Sequence, residues 1–283
     1  MPFVDLHAHI LPAIDDGPDI VEEAIEMALT AVEDGTRIIV ATPHQRDVML
    51  KGPGLNLRQV LSDFNSRLAQ EGSATGRRRP RLLLGMENHI EPDLPEWVDQ
   101  GLALPIAGTR FILSEPPFTA WPRYVDDVLG RLRMKRLVPV IAHPERNSEI
   151  QKDPRRLKAM IDDGMLTQVS AGSFTGVYGT AAQRSAESLV RQGLVHTVGS
   201  DMHHSEGPRG PSLSTAFLRV ARMVGEETAR LLFEEHPAMM LEGLSPEREV
   251  MDLGEPAKRW WLPSRTRPRF GRMKARGSGR SNE

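Results

Sequence analysis

His7 and His9 alternate with Leu6 and Ala8 in the short apolar stretch 3–9. On a strand, residues two apart project to one face, so the imidazoles stand side by side, as paired metal ligands do. Two carboxylates, Asp15 and Asp16, follow in a loop bounded by Pro12 and Gly17. Alone, the two histidines read equally well as packed core residues.

Comparable groups close other apolar runs. His44 follows the run 37–42, Glu87 the run 81–86, Glu115 the run 110–113, and His143-Pro144-Glu145-Arg146 the run 137–142. Ser200-Asp201-Met202-His203 closes 195–199, while 166–170 ends without such a group. Six of seven apolar runs thus end in a His or a carboxylate. Buried ionisable groups in this number are costly unless they hold something positive. Core packing accounts for one or two of them, not six. His7, His9, Asp16, His44, Glu87, Glu115, His143, Asp201 and His203 make nine donors, too many for one tetrahedral or octahedral ion. Two or three ions sharing carboxylates fit better, and imidazole with carboxylate suits Mn²⁺, Fe or Zn²⁺. The chain has no cysteine, which excludes thiolate ligands, a cysteine nucleophile and disulfides.

The elements that must position these groups alternate along the chain. Asp19 and Glu22 form a capping-box pattern ahead of a helix with the stripe Ile25, Ala28, Leu29 and Val32. Asn56 opens a second helix whose inner face is Leu57, Val60, Leu61, Phe64 and Leu68. Further helices are expected at 124–133, 155–162 and 180–192, with a closing pair at 212–224 and 226–235. Seven strands alternating with helices predict an α/β fold with a parallel sheet. The count suggests a barrel short of eight strands. In α/β barrels the C-terminal ends of the strands form the catalytic face, so groups scattered in sequence would converge there. His89, His196, His204 and His236 fall off the strand-end pattern and read as surface or structural residues. Phe118, Trp121 and Tyr124 read as either core or the wall of a pocket for an aromatic ring.

At 283 residues the chain has ample length for one buried core. No apolar run approaches the roughly 18 residues of a membrane span, and the start lacks a basic region followed by an apolar core, so a cytoplasmic protein is expected. Residues 1–254 are read as the enzyme domain and 255–283 as a disordered basic tail. The tail holds nine Lys/Arg against two Glu, a net +7, leaving −9 on the rest of the chain for −2 in all. That contrast suggests peripheral contact with anionic lipid at the inner face of the membrane, or with an acidic partner. Truncation after Leu262 is expected to abolish binding to anionic vesicles; unchanged binding would refute the idea.

With Asp5-x-His7-x-His9, Thr42-Pro43-His44, Glu87, His143-Pro144 and Ser200-Asp201-x-His203, residues 1–244 resemble the polymerase and histidinol phosphatase (PHP) superfamily. Leu11-Pro12 leading to Asp15-Asp16-Gly17, Gly85-x-Glu87 and His143-Pro144-Glu145-Arg146 are similar to its manganese-dependent bacterial protein-tyrosine phosphatases of capsule and exopolysaccharide synthesis. The resemblance implies a distorted (β/α)7 TIM-like barrel and three ion sites. His7, His9, Glu87 and Asp201 would hold one ion, and Glu87 would bridge to a second held by Glu115 and His143. Asp16, His44 and His203 would hold the third. Arg146 matches the family's phosphate-binding arginine, and Arg209 is the candidate for a second. Where the family has Glu-Phe-Pro, this chain has Glu115-Pro116-Pro117-Phe118. The implied partner is a phosphotyrosine protein, the Tyr-rich tail of a bacterial tyrosine autokinase.

A hydroxide bridging two ions is a nucleophile at neutral pH, and a forked guanidinium matches phosphate oxygens. Asp201, His44 or a metal-bound water are the candidates for any general acid, and Asp15 is expected to orient its loop. The rival readings are a histidinol-phosphate phosphatase, a nuclease, or a metal-stabilised scaffold without turnover. The acidic balance of 1–254 disfavours nucleic acid, and a scaffold would lack a ligand or the arginine.

Overall fold

A computed structural model describes residues 2–246. The basic stretch 255–283 and the last residues of the expected domain lie outside the described residues. Among the described residues no helix is long and apolar enough to cross a membrane.

Eight strands are present among the described residues: β1 (Phe3–Ala8), β2 (Thr36–Ala41), β3 (Arg81–Leu84), β4 (Asn88–His89), β5 (Phe111–Glu115), β6 (Val138–Ala142), β7 (Leu166–Ser170) and β8 (Thr197–Gly199). They form two sheets, β1-β2-β3 and β4-β5-β6-β7-β8, with every pairing parallel. The expected strand at 81–86 ends at Leu84, and a further two-residue strand, β4, follows it in the other sheet. The break falls at Gly85, where a Cβ would stand 3.1 Å from Val40 Cγ1 and 3.3 Å from the Ile106 backbone. Contact with the end of β2 continues through Glu87, and from Asn88 the chain pairs with β5, a change of partner that periodicity cannot show.

Backbone bonds tie the two sheets together at the ligand-bearing strand ends. Asp201 N donates to His7 O (2.9 Å) and His9 N to Met202 O (2.9 Å). On the other side, Gln45 N donates to Glu87 O (2.9 Å) and Glu87 N to Pro43 O (3.2 Å). Residues one apart on a strand face opposite ways, and the core follows that rule. Val40, Phe111, Leu113, Val140 and Ala142 belong to a cluster closed by Met240. Ile39 and Ala41 pack with Ala24 and Ala28 of the helix Val21–Glu33 and with Phe64 and Leu68 of the helix Leu57–Thr75. Ile112 and Ile141 pack with Val125, Leu129, Leu157 and Leu189. Helices thus cover the outer faces of both sheets.

Local signals fared unevenly. Asn56 caps Leu57–Thr75 as expected, its side chain accepting from Arg58 N and Gln59 N. The capping box at Asp19 does not form. The first helix is Val21–Glu33, its N-cap is Ile20, and no side chain caps it. Glu22 instead meets Arg67 at 3.2 Å, where a carboxylate in the first turn still favours the helix dipole. The closing helical region runs Leu213–Val224, Glu226–Arg230, a wide turn at Leu231–Glu235, then His236–Leu241.

Candidate metal centre

His7 and His9 leave the end of β1 with their Nε2 atoms 3.1 Å apart, both rings buried. Their other nitrogens determine what those atoms can do. His7 Nδ1 donates to Gln168 Oε1 (2.7 Å) and His9 Nδ1 to Asp15 Oδ2 (2.6 Å). Each neutral ring therefore turns a bare lone pair on Nε2 toward the other. Around them, Glu87 oxygens lie 3.4 Å from each Nε2 and Asp201 Oδ1 lies 3.7 Å from both. Lone pairs and carboxylates facing one another in a buried space repel unless something positive sits among them. The donor set fits a borderline divalent cation, with the partner of each Nδ1 orienting the ring.

Protonation would be the other source of positive charge. Burial disfavours the charged form of His7, but Glu87 and Asp201 outweigh it and raise its pKa. The same contest at His9, won by Asp15 and Glu87, holds that ring well above its usual value. Burial pushes Glu87 upward, and His7, His143 and His44 reverse this, keeping the carboxyl well below the usual range. The Glu87 carboxylate stays anionic and thus competent as a ligand.

Further donors extend the cluster in two directions. His143 Nε2 is 2.7 Å from Glu87 Oε1 and 3.7 Å from Glu115 Oε1. His44 Nδ1 is 3.0 Å from Glu87 Oε2 and its Nε2 is 3.5 Å from Asp16 Oδ1, which is 3.1 Å from His203 Nε2. All nine expected ligands are thereby brought together. Donor atoms within 4.8 Å of one another group as His7, His9 and Asp201; as His7, Glu87 and His143; and as His9, Asp16, His44 and His203. A fourth group joins His44 and Glu115 to His89, which the sequence analysis read as structural. His89 Nε2 lies 2.8 Å from Glu115 Oε2. The signal was available, because His89 stands two residues beyond Glu87 and a strand sends both to one face.

Backbone strain sits at two of the expected ligands. His143 (φ 31°), directly after β6, and Asp201 (φ 54°), two residues past β8, both occupy the left-handed region. A non-glycine residue held there costs on the order of 1–3 kcal/mol and persists where surrounding contacts over-determine it. At Gly199 a Cβ would come within 2.8 Å of His7 Cβ, so only glycine lets β8 approach β1 this closely. Asp5 accepts from His7 N (3.1 Å) and Ser200 N (3.0 Å), lashing the same two strand ends. Burial raises its pKa to about 6.

Arg146 lies over two rings, its Cζ 4.5 Å from the centroid of Phe118 and 4.2 Å from that of Tyr178. Its Nη1 donates to Asp201 Oδ2 at 3.0 Å. That oxygen also accepts from Ser170 Oγ (3.1 Å) and Tyr178 Oη (2.8 Å). With Oδ2 saturated, Asp201 offers Oδ1 to a cation. Burial and the Asp201 charge raise the Tyr178 pKa, so its hydroxyl remains a donor. Tyr178 and Gln168 escaped the sequence analysis, since neither follows an apolar run as a titratable group would. Arg209 donates to Asp16 Oδ2 (3.2 Å) and contacts His203 Nε2, placing a second guanidinium beside the third donor group.

Asp15 is buried, accepts from His44 N (3.0 Å) and Gly17 N (3.2 Å), and orients His9, whereas the Asp16 side chain is half exposed and faces the histidines. His196 bonds Thr167 and His236 bonds the His196 carbonyl, away from the cluster. His204 is at the surface near Glu23. Trp121 is buried, with Nε1 donating to Asp126, and belongs to the core.

Known proteins share this sequence and architecture. The family model for capsular polysaccharide synthesis, CpsB/CapC, matches residues 3–242. Tyrosine-protein phosphatase YwqE of Bacillus subtilis (strain 168) is 36% identical over 201 residues, spanning 71% of this chain and 77% of that protein. Tyrosine-protein phosphatase CpsB of Streptococcus agalactiae is 28% identical over 246 residues, spanning 84% and 98%. Among solved structures, one from the study of YwqE from Bacillus subtilis and CpsB from Streptococcus pneumoniae, described as unique metal-dependent tyrosine phosphatases, superposes with a TM-score of 0.78. It is 31% identical and covers 90% of this chain and all of that one. The phosphotriesterase homology protein from Escherichia coli superposes with a TM-score of 0.55 at 13% identity, covering 85% and 99%, a likeness of fold alone. With a match over nearly all the described residues, this chain belongs to the CpsB/CapC family of capsular polysaccharide synthesis.

Proposed function

We propose that this chain is a metal-dependent protein-tyrosine phosphatase acting in capsule or exopolysaccharide synthesis. The observation that carries the reading is Arg146. Its guanidinium is clamped between two rings with Nη1 3.0 Å from Asp201 Oδ2, at the rim of a cluster of cation ligands. A fork of donors fixed beside cations is suited to the oxygens of a phosphoryl group. The names of YwqE and CpsB as tyrosine-protein phosphatases support the same substrate class.

His7, His9, Glu87 and Asp201 would hold one ion, Glu87, Glu115 and His143 a second, and Asp16, His44 and His203 a third. Mn²⁺ suits these nitrogen and oxygen donors, as would Fe or Zn²⁺. Such ions, when bound, lower the pKa of water and polarise phosphoryl oxygens. The protein's own part is orientation. Gln168 and Asp15 aim the two imidazoles, Ser170 and Tyr178 fix Asp201, and Arg146 and Arg209 receive phosphate oxygens from two sides. Asp201, buried and flanked by His7, His143 and His9, is held below the usual carboxylate range, which suits a ligand. A phenolate leaves more readily than an alkoxide, so the reaction asks less of an acid.

The two parallel sheets, tied at both junctions by backbone bonds, support a distorted (β/α)7 barrel in which β3 and β4 act as one bent strand. A Tyr-rich tail of a bacterial tyrosine kinase is the proposed partner, met at the cytoplasmic face of the membrane. Incubation with Mn²⁺ and a phosphotyrosine peptide, a phosphoserine peptide, histidinol phosphate or single-stranded DNA tests the reading. Phosphotyrosine is expected to be the preferred substrate, with turnover lost on chelation and restored by Mn²⁺. Preference for histidinol phosphate or DNA would overturn it.

A further inference from the structure

A small cavity of about 180 Å³ opens beside the donor cluster. His89, Glu115, Pro116, Phe118, Tyr124 and Arg46 are among the residues that line it. Two larger hollows, of about 750 and 770 Å³, flank the helix Leu57–Thr75 and touch no ligand residue. The small cavity, unlike these two, combines apolar walls with a wall made by candidate ligands.

Its size and surfaces select a guest. An apolar protein cavity of roughly 150 Å³ holds one benzene ring, so 180 Å³ admits a six-membered ring. Proline and aromatic faces offer flat surfaces to such a ring. Phe118 links this space to the phosphate side. Its ring stacks on His143 at 5.5 Å and 23°, and the Arg146 guanidinium lies 4.5 Å from its centroid. It is also 41% exposed, so part of its surface is open to a ligand.

We infer that this cavity, walled by Phe118 and Tyr124, is the subsite for the aromatic ring of the phosphate ester, and that these two side chains set the preference for aryl over alkyl phosphates. The inference rests on the phosphatase reading above and adds the residues that would confer its selectivity. A phosphoryl group held by Arg146 and the cation ligands would send its substituent past Phe118 into the cavity. A seryl ester has no ring to fill the space.

The test uses the Mn²⁺-loaded full chain and non-hydrolysable ligands, so that binding is read apart from turnover. Calorimetry would compare phenylphosphonate with methylphosphonate on the wild type and on Phe118→Ala, Tyr124→Ala and Tyr124→Phe, each checked for metal content. The wild type is expected to favour phenylphosphonate. The phenyl-over-methyl affinity ratio should fall about three- to tenfold in each alanine variant, the scale of one lost aromatic contact, and be retained in Tyr124→Phe. A wild-type ratio near one, or variants that weaken both ligands equally, would overturn the subsite. Phosphotyrosine-peptide turnover, measured alongside, tests the activity separately. Phenyl preference without turnover would leave the subsite standing and sink the phosphatase reading; turnover without phenyl preference would do the reverse.

Discussion

Glu87→Gln is expected to lower kcat/KM for a phosphotyrosine peptide by about 1000-fold or more, roughly 4 kcal/mol of transition-state stabilisation. The Glu87 carboxylate meets four of the histidines. Its two oxygens lie 2.7 Å from His143, 3.0 Å from His44 and 3.4 Å from both His7 and His9. The substitution keeps size and shape but removes the negative charge, and it replaces one acceptor oxygen with a nitrogen that only donates. Two of the three proposed ions would lose a shared ligand. Metal analysis of the purified variant should show a lower stoichiometry than the wild type, and excess Mn²⁺ should restore little activity. A variant with full metal content and near-normal turnover would show that Glu87 is not the hub of the centre.

Arg146→Ala separates phosphate binding from metal binding. The guanidinium touches one ligand, Asp201, through the oxygen directed away from the histidines. Ser170 and Tyr178 still hold that oxygen after the change, so metal content should stay near the wild-type level. Removing one donor aimed at developing charge typically costs about 100- to 1000-fold in kcat, and a loss of that size is expected here. Arg146→Lys should recover only part of it. An ammonium lacks the planar fork, and it fits less well in the slot between Phe118 and Tyr178. Steady-state kinetics beside metal analysis checks both points, and wild-type turnover in Arg146→Ala would refute the phosphate role.

The candidate ligand set was legible in the sequence because most of its members close an apolar run. A strand that ends in an ionisable group needs only its own residues to be recognised, as His143 after the apolar 138–142 run shows. His89 belonged to the same class of signal, two residues past Glu87, yet the strand that carries it is a two-residue element after the Gly85 break. Asp19 and Glu22 had the spacing of a capping box, but the helix takes Ile20 as its N-cap, which leaves Asp19 one position too early to cap it.

By itself, the sequence determined the chemistry on offer: nine nitrogen and oxygen donors, eight closing apolar runs and Asp16 in a loop, no cysteine, an arginine after His143, and the family to which the pattern belongs. The tertiary structure decided how those donors are used. His7 takes its tautomer from Gln168, 161 positions away, and Asp201 is oriented by Arg146, 55 positions away. Tyr178 enters through its contacts with both of them. The division of the strands into two sheets and the cavity beside Phe118 belong to the same class. Residue type and short spacing reveal which atoms can bind. Which lone pair faces the cation, and which wall faces the substrate, depends on long-range packing that no local pattern encodes.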